Sequence, residues 1–96
     1  METLKFRVQE ITCADGTKFL GASCLGMDLP ESLREPGKER LRYHVRISGV
    51  DTNSLEVGWY TIEAEKPEDI WLDERDAFRY KNIIRAKGKI YKSPSK

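Results

Sequence analysis

Near the start of the chain Leu4, Phe6 and Val8 alternate with Lys5, Arg7 and Gln9, a period of two that predicts a half-buried strand over residues 3–13. Asp15-Gly16 follows, a pair that favours a two-residue turn with positive φ at both centres. It predicts a hairpin whose second strand covers residues 17–25, weakened by Gly21. That turn sets Cys13 opposite Lys18 and Cys24 opposite Arg7. The two thiols then share a face but lie about 20 Å apart at the usual strand rise. A disulfide cannot span that, so both are expected to be buried and reduced.

Residues 26–37 hold Gly26, Pro30, Pro36 and Gly37 among charged neighbours, which predicts a loop with one helical turn at Pro30–Arg34. From residue 38 to 48 the alternation is cleanest: Leu41, Tyr43, Val45 and Ile47 against Arg40, Arg42, His44 and Arg46. After a loop at residues 49–53, residues 54–64 can return as a partner strand. The register pairs Ile47 with Leu55, Val45 with Val57 and Tyr43 with Trp59 on the core face. The other face then pairs Arg46 with Glu56 and Arg42 with Tyr60.

Past residue 65 the period changes. Lys66-Pro67-Glu68-Asp69 has proline and acids where a helix begins, Ile70, Ala77 and Ile84 recur at helical spacing, and Lys/Arg gather towards Gly88. A C-terminal helix is therefore expected, with a strand over residues 78–90 as its rival. The predicted fold class is α+β: two β-hairpins forming a small antiparallel sheet of about four strands, covered by a C-terminal helix. A small all-β barrel is the alternative, and follows if residues 78–90 are strand.

The length of 96 residues allows one domain, expected over residues 1–91, with residues 92–96 a disordered tail. Charged residues make up 34% of the chain and no apolar run approaches the ~20 residues of a membrane span. A multi-domain enzyme and a membrane-spanning segment are thereby excluded. The N-terminus lacks the basic-then-apolar form of a secretory signal, and two cysteines are too few for a disulfide framework. The expected localisation is cytoplasmic.

Candidate chemistry is sparse. Cys13, Cys24 and the lone His44 lack the paired spacing of a zinc site. Gly21-Ala22-Ser23-Cys24-Leu25 begins like a nucleophile elbow but ends in leucine, and Gly21 and Gly26 precede Met27-Asp28 instead of the Lys-Ser/Thr of a phosphate loop. The acids Glu68, Asp69, Asp73, Glu74 and Asp76 read as a solvated face. Accordingly no enzyme activity, no cofactor, no metal and no small-molecule substrate is expected.

Charge patterning changes the picture more. Net charge is only +1, yet residues 63–76 carry seven acids against two bases, and residues 79–96 carry seven bases and no acid. The candidate partner-binding residues are Arg40, Arg42 and Arg46 on a basic strand face, Tyr60 as a stacking surface beside Arg42, and Arg85, Lys87 and Lys89 in the basic C-terminal segment. The expected function is a small non-enzymatic binding or regulatory protein acting through protein–protein contacts, with an acidic partner. The alternative is a nucleic-acid-binding module using the same basic sheet face and C-terminal segment.

Overall fold

Leu4, Phe6 and Val8 do alternate along a strand, and in the computed structural model, which describes residues 1–73 and 82–94, all three are fully buried. That strand, β1 (Glu2–Thr12), is the first of seven among the described residues. The others are β2 (Lys18–Leu25), β3 (Arg42–Ile47), β4 (Gly58–Ala64), β5 (Ile70–Leu72), β6 (Ile83–Ala86) and β7 (Lys89–Lys92). Short 3-10 turns at Gly26–Asp28, Glu31–Leu33, Thr52–Ser54 and Pro67–Asp69 are the only helical elements among the described residues.

The seven strands form one mixed sheet in the order β5-β6-β3-β2-β1-β4-β7. Among the described strands only β3 and β6 run parallel. β6 and β7 stand far apart in that order, yet only Lys87 and Gly88 separate them along the chain. β7 pairs with β4 and β6 pairs with β5, so β6–β7 and β4–β5, the latter interrupted by the 3-10 turn at Pro67–Asp69, run antiparallel to each other. The order therefore closes on itself into a small ring of strands. Gly88 makes the closure possible: a Cβ there would collide with the Glu63 carbonyl oxygen on β4. Counted as five bent strands, the order is first–second–third–fifth–fourth and back to the first. That is the connectivity of the OB-fold barrel.

Each strand turns one face inward, and β6 is buried on its other face as well at Ile83. Leu4, Phe6 and Val8 meet Ala22, Cys24, Tyr43, Val45, Ile47, Tyr60, Ile62, Ala64, Ile70, Ile84 and Ala86 in a single apolar cluster. The rings of Phe6 and Tyr60 stack with centroids 5.7 Å apart. Each large apolar side chain so buried contributes about 1.5–3 kcal/mol relative to exposure.

The α+β expectation is overturned. No C-terminal helix forms over the described residues: the Pro67 signal starts a single 3-10 turn, and Ile70–Leu72 and Ile83–Ala86 are strands that supply apolar side chains to the core. Nor are there four strands in two hairpins, since seven share the sheet. The all-β alternative is nearer. Within residues 78–90, β6 and the start of β7 are strand, while residues 74–81 lie outside the described residues. The expected hairpin between residues 38–48 and 54–64 does not exist. β3 pairs with β2 and β6, while β4 pairs with β1 and β7. β4 also buries the opposite face from the one expected: Tyr60, Ile62 and Ala64 point inward and Trp59 outward.

The β1–β2 hairpin forms, one residue out of the expected register. Cys13 N–H donates to Thr17 O (2.8 Å), Gly16 takes a φ of 90°, and Arg7 pairs with Ser23 instead of Cys24. The shift separates the two cysteines. Both are free thiols, but Cys24 is buried in the core and Cys13 is exposed in the turn, against the expectation that both are buried. Lys92, expected in the disordered tail, lies in β7 opposite Tyr60, and Ser93 N–H donates to Trp59 O (2.9 Å).

Candidate functional site

Because registered partners share a sheet face, the pairings place the outward side chains in rows. Trp59, Arg7, Ser23 and His44 form one row across β4, β1, β2 and β3. Arg46, Arg85 and Trp71 form a second across β3, β6 and β5. Arg42 on β3 stands opposite Leu25 on β2, and Lys5 on β1 opposite Thr61 on β4. The outer face from β4 to β3 thus carries Lys5, Arg7, Arg42 and Arg46 around Ser23 and spans about 14 Å at the usual strand spacing, while at β6 it is covered, since Ile83, opposite His44, is fully buried.

Two features hold these cations in place. Lys5 Nζ and the Arg7 guanidinium lie over the Trp59 ring, 6.0 and 5.7 Å from its centroid. Such contacts are worth about 0.5–1 kcal/mol at exposed sites and limit the side chains' freedom. On β6, Arg85 Nε donates to the buried Asp73 carboxylate. Arg46 and Arg85 stand directly opposite each other, an arrangement of like charges that destabilises a sheet by itself. The positive field shows in His44: burial, then Arg46, then Arg42, lower its pKa below the ordinary 6.5.

Beside this face the sheet is split. β2 and β3 are registered only over Ser23–Leu25 and Arg42–His44. Past that point they diverge around a cleft of about 550 Å³ whose walls include Phe19, Gly21, Val50, Asn53, Arg46 and Arg85. The 3-10 turn at Thr52–Ser54 bridges the gap, with Asn53 Oδ1 accepting from Leu20 N–H (2.8 Å). Asp51 caps that turn by accepting from Asn53 N–H (3.0 Å).

The expected site residues are brought together only in part. Arg42, Arg46 and Arg85 share the outer face. Arg40 lies exposed in the loop before β3, and Lys87 is exposed in the β6–β7 junction, where its N–H donates to Asp69 O (2.8 Å). Lys89 is exposed on β7 opposite Glu63. Tyr60 does not offer a stacking surface: its ring is buried against Phe6, and its hydroxyl donates to Glu56 O (2.8 Å) and accepts from Glu56 N–H (3.0 Å). The expected Arg46–Glu56 pair is likewise replaced, with Lys92 Nζ 3.0 Å from the Glu56 carboxylate. Sequence reasoning misses Lys5, Arg7 and Trp59. Their signal is present, since Lys5 and Arg7 are the polar half of the first alternation, but only the β1–β4 pairing puts them beside β3's arginines.

Among the described residues no group of three or more His, Cys, Asp or Glu could hold a metal ion, and no helix is long and apolar enough to cross a membrane. Comparison with family models, curated proteins and solved structures finds no match to this chain. The OB-fold likeness rests on strand order alone, and a fold of that kind does not by itself carry a function.

Proposed function

We propose that this chain is a non-catalytic module that binds single-stranded nucleic acid on the outer face of β1, β2 and β3. The observation that carries the reading is the exposed Arg42 and Arg46 on β3, continued across Ser23 by Arg7 and Lys5 on β1. Arg42 and Arg46 are both exposed on this face, and an exposed basic row suits an anionic partner. Polyanionic strands meet that need by releasing counterions as phosphates pair with arginines. The strand order agrees, since OB-fold barrels commonly bind oligonucleotides on the face of their second and third strands; this is an analogy of fold.

The test is fluorescence anisotropy with labelled single-stranded DNA and RNA across a salt series. Replacing Arg7, Arg42 and Arg46 together by Gln is expected to reduce the slope of log K against log salt by about 2, at ~0.7 per phosphate released on a single strand. Absence of binding by the wild type at low salt overturns the reading. An acidic protein segment would then be the anion that fits the same arginines, which is the partner class expected first from the sequence.

A further inference from the structure

We infer that the cleft between β2 and β3 receives one base of the bound strand. The inference rests on the proposed function and deepens it: the outer arginines hold phosphates, and the cleft takes a nucleobase. Three observations point to that occupant. First, the cleft's volume of about 550 Å³ falls within the ~300–1,000 Å³ of small-molecule pockets, and the diverging strands leave it unfilled by the side chains of the described residues.

Second, its walls differ in chemistry. Phe19 and Ile11 are paired across the β1–β2 hairpin and remain 39% and 37% exposed at the rim, so an aromatic ring and an aliphatic side chain are available to a flat ligand. Ile11 also lies over Gly21, where an added Cβ would collide with Ile11 Cδ1. Across the cleft, Thr52 and Asn53 supply polar groups. The bond from Leu20 N–H fixes the Asn53 carboxamide through Oδ1. Its Nδ2 donors have no partner among the described residues. A base removed from its stack is read in this manner, by stacking on apolar or aromatic walls and hydrogen bonds to its edge.

Third, the mouth is basic. The exposed Arg46 lines the cleft, so a base inside would keep its own phosphate beside that guanidinium; Arg85 also lines it but is held by Asp73. An apolar peptide side chain would match neither the Asn53 donors nor the basic mouth.

The experiment records backbone amide shifts and affinities with three probes: a thymidylate octamer, an abasic octamer of equal phosphate number, and thymidine monophosphate. The base-bearing octamer is expected to move the amides of Leu20, Val50 and Asn53 along with those of Arg7 and Arg42. The abasic strand should move only the latter two and bind more weakly. Phe19→Ala is expected to weaken the base-bearing octamer about 5- to 100-fold, the usual range for losing one base–aromatic stack, and to leave the abasic strand unchanged. Asn53→Ala should act in the same direction.

Equal affinity for the two octamers, or cleft amides that stay still while those of Arg7 and Arg42 move, overturns the base site and leaves the nucleic-acid reading intact. If the monophosphate saturates the cleft amides as tightly as the octamer does, the pocket is one for a free nucleotide and the strand-bound base is wrong. If no probe binds, the proposed function and this inference fall together.

Discussion

The ring of strands is zipped on one side and split on the other. Between β1 and β4 seven residue pairs are in register, from Glu2–Ala64 to Val8–Gly58, and the side chains they turn inward from Leu4 to Val8 are fully buried. Between β2 and β3 only three pairs are in register. Past these, a side-chain carboxamide replaces the ladder, with Asn53 satisfying Leu20. The difference lies in what each side buries. Against β1, the strand β4 offers Tyr60, Ile62 and Ala64 to the core without a break. On β2 the chain passes through Gly21 to an exposed Phe19, and the apolar side chains on this side, Leu20 and Val50, are only partly buried against the core. The fully registered half holds the core, while the opening falls beside Arg46 and Arg85, where the strands are held together by fewer pairs.

The largest test of that contrast uses two phenylalanines. Phe6, fully buried on the zipped side, should cost about 3–5 kcal/mol when changed to Ala. Phe19, 39% exposed at the split, should cost about 0.5 kcal/mol when changed likewise. Urea denaturation reads both. Equal midpoints would mean that the two sides are packed alike, and the distinction between a structural half and an open half would be lost.

How far the fold is legible in the sequence follows the same division. Period-two alternation locates β1 and β3 and identifies Leu4, Phe6, Val8, Tyr43, Val45 and Ile47 as core, because a strand half-buried in a sheet writes its burial into every second residue. It does not say which strands pair. Two adjacent alternating segments look like a hairpin whether they bond to each other or to distant partners, so the pattern matches β3 with the segment containing β4 although β3 lies between β2 and β6. That error exchanges the faces of Trp59 and Tyr60, since a one-residue change of register turns every side chain over. The C-terminal helix fails for a related reason. β5 and β6 have three and four residues, too few for their alternation to outweigh an apolar spacing of seven. Of the site, Arg42, Arg46 and Arg85 stand out as members of basic runs, whereas Arg7, Lys5 and the cleft depend on long-range pairing that no local pattern records.

A second comparison sets the glycine of the seam against that of the split. At Gly88 an added Cβ meets the Glu63 backbone carbonyl, and neither strand can yield without opening the closure. Gly88→Ala should therefore destabilise by about 1–3 kcal/mol, the usual range for overpacking. At Gly21 the close atom is the Cδ1 terminus of Ile11, on a side chain that is partly exposed and can rotate. Gly21→Ala should cost less, on the order of 0.5 kcal/mol. The reverse order in thermal or urea unfolding would show that the split is the rigid side of the ring.

The smallest expected effect lies in the titration of His44, at the last registered pair before the split. Its pKa is lowered first by burial and then by Arg46 and Arg42. Of the other groups packed against that row, Ser23 on β2 is uncharged and Arg85 on β6 is paired with Asp73. A histidine whose folded pKa lies below its unfolded value of 6.5 leaves stability unaffected well above 6.5. Stability then falls as pH drops below 6.5 and through the folded value, because the unfolded chain takes up the proton first. An anion on the outer face opposes the arginines' field, so binding should raise the His44 pKa and take up protons. Affinity for the octamer should accordingly increase as pH falls through this window, by about tenfold for each unit that the pKa rises. Replacing Arg42 and Arg46 by Gln should raise the pKa in the free protein and reduce that pH dependence. Imidazole resonances followed by NMR report both. If removing the two arginines leaves the His44 pKa where it was, burial alone accounts for its depression, and the rim of the split lacks the positive field that the binding reading requires.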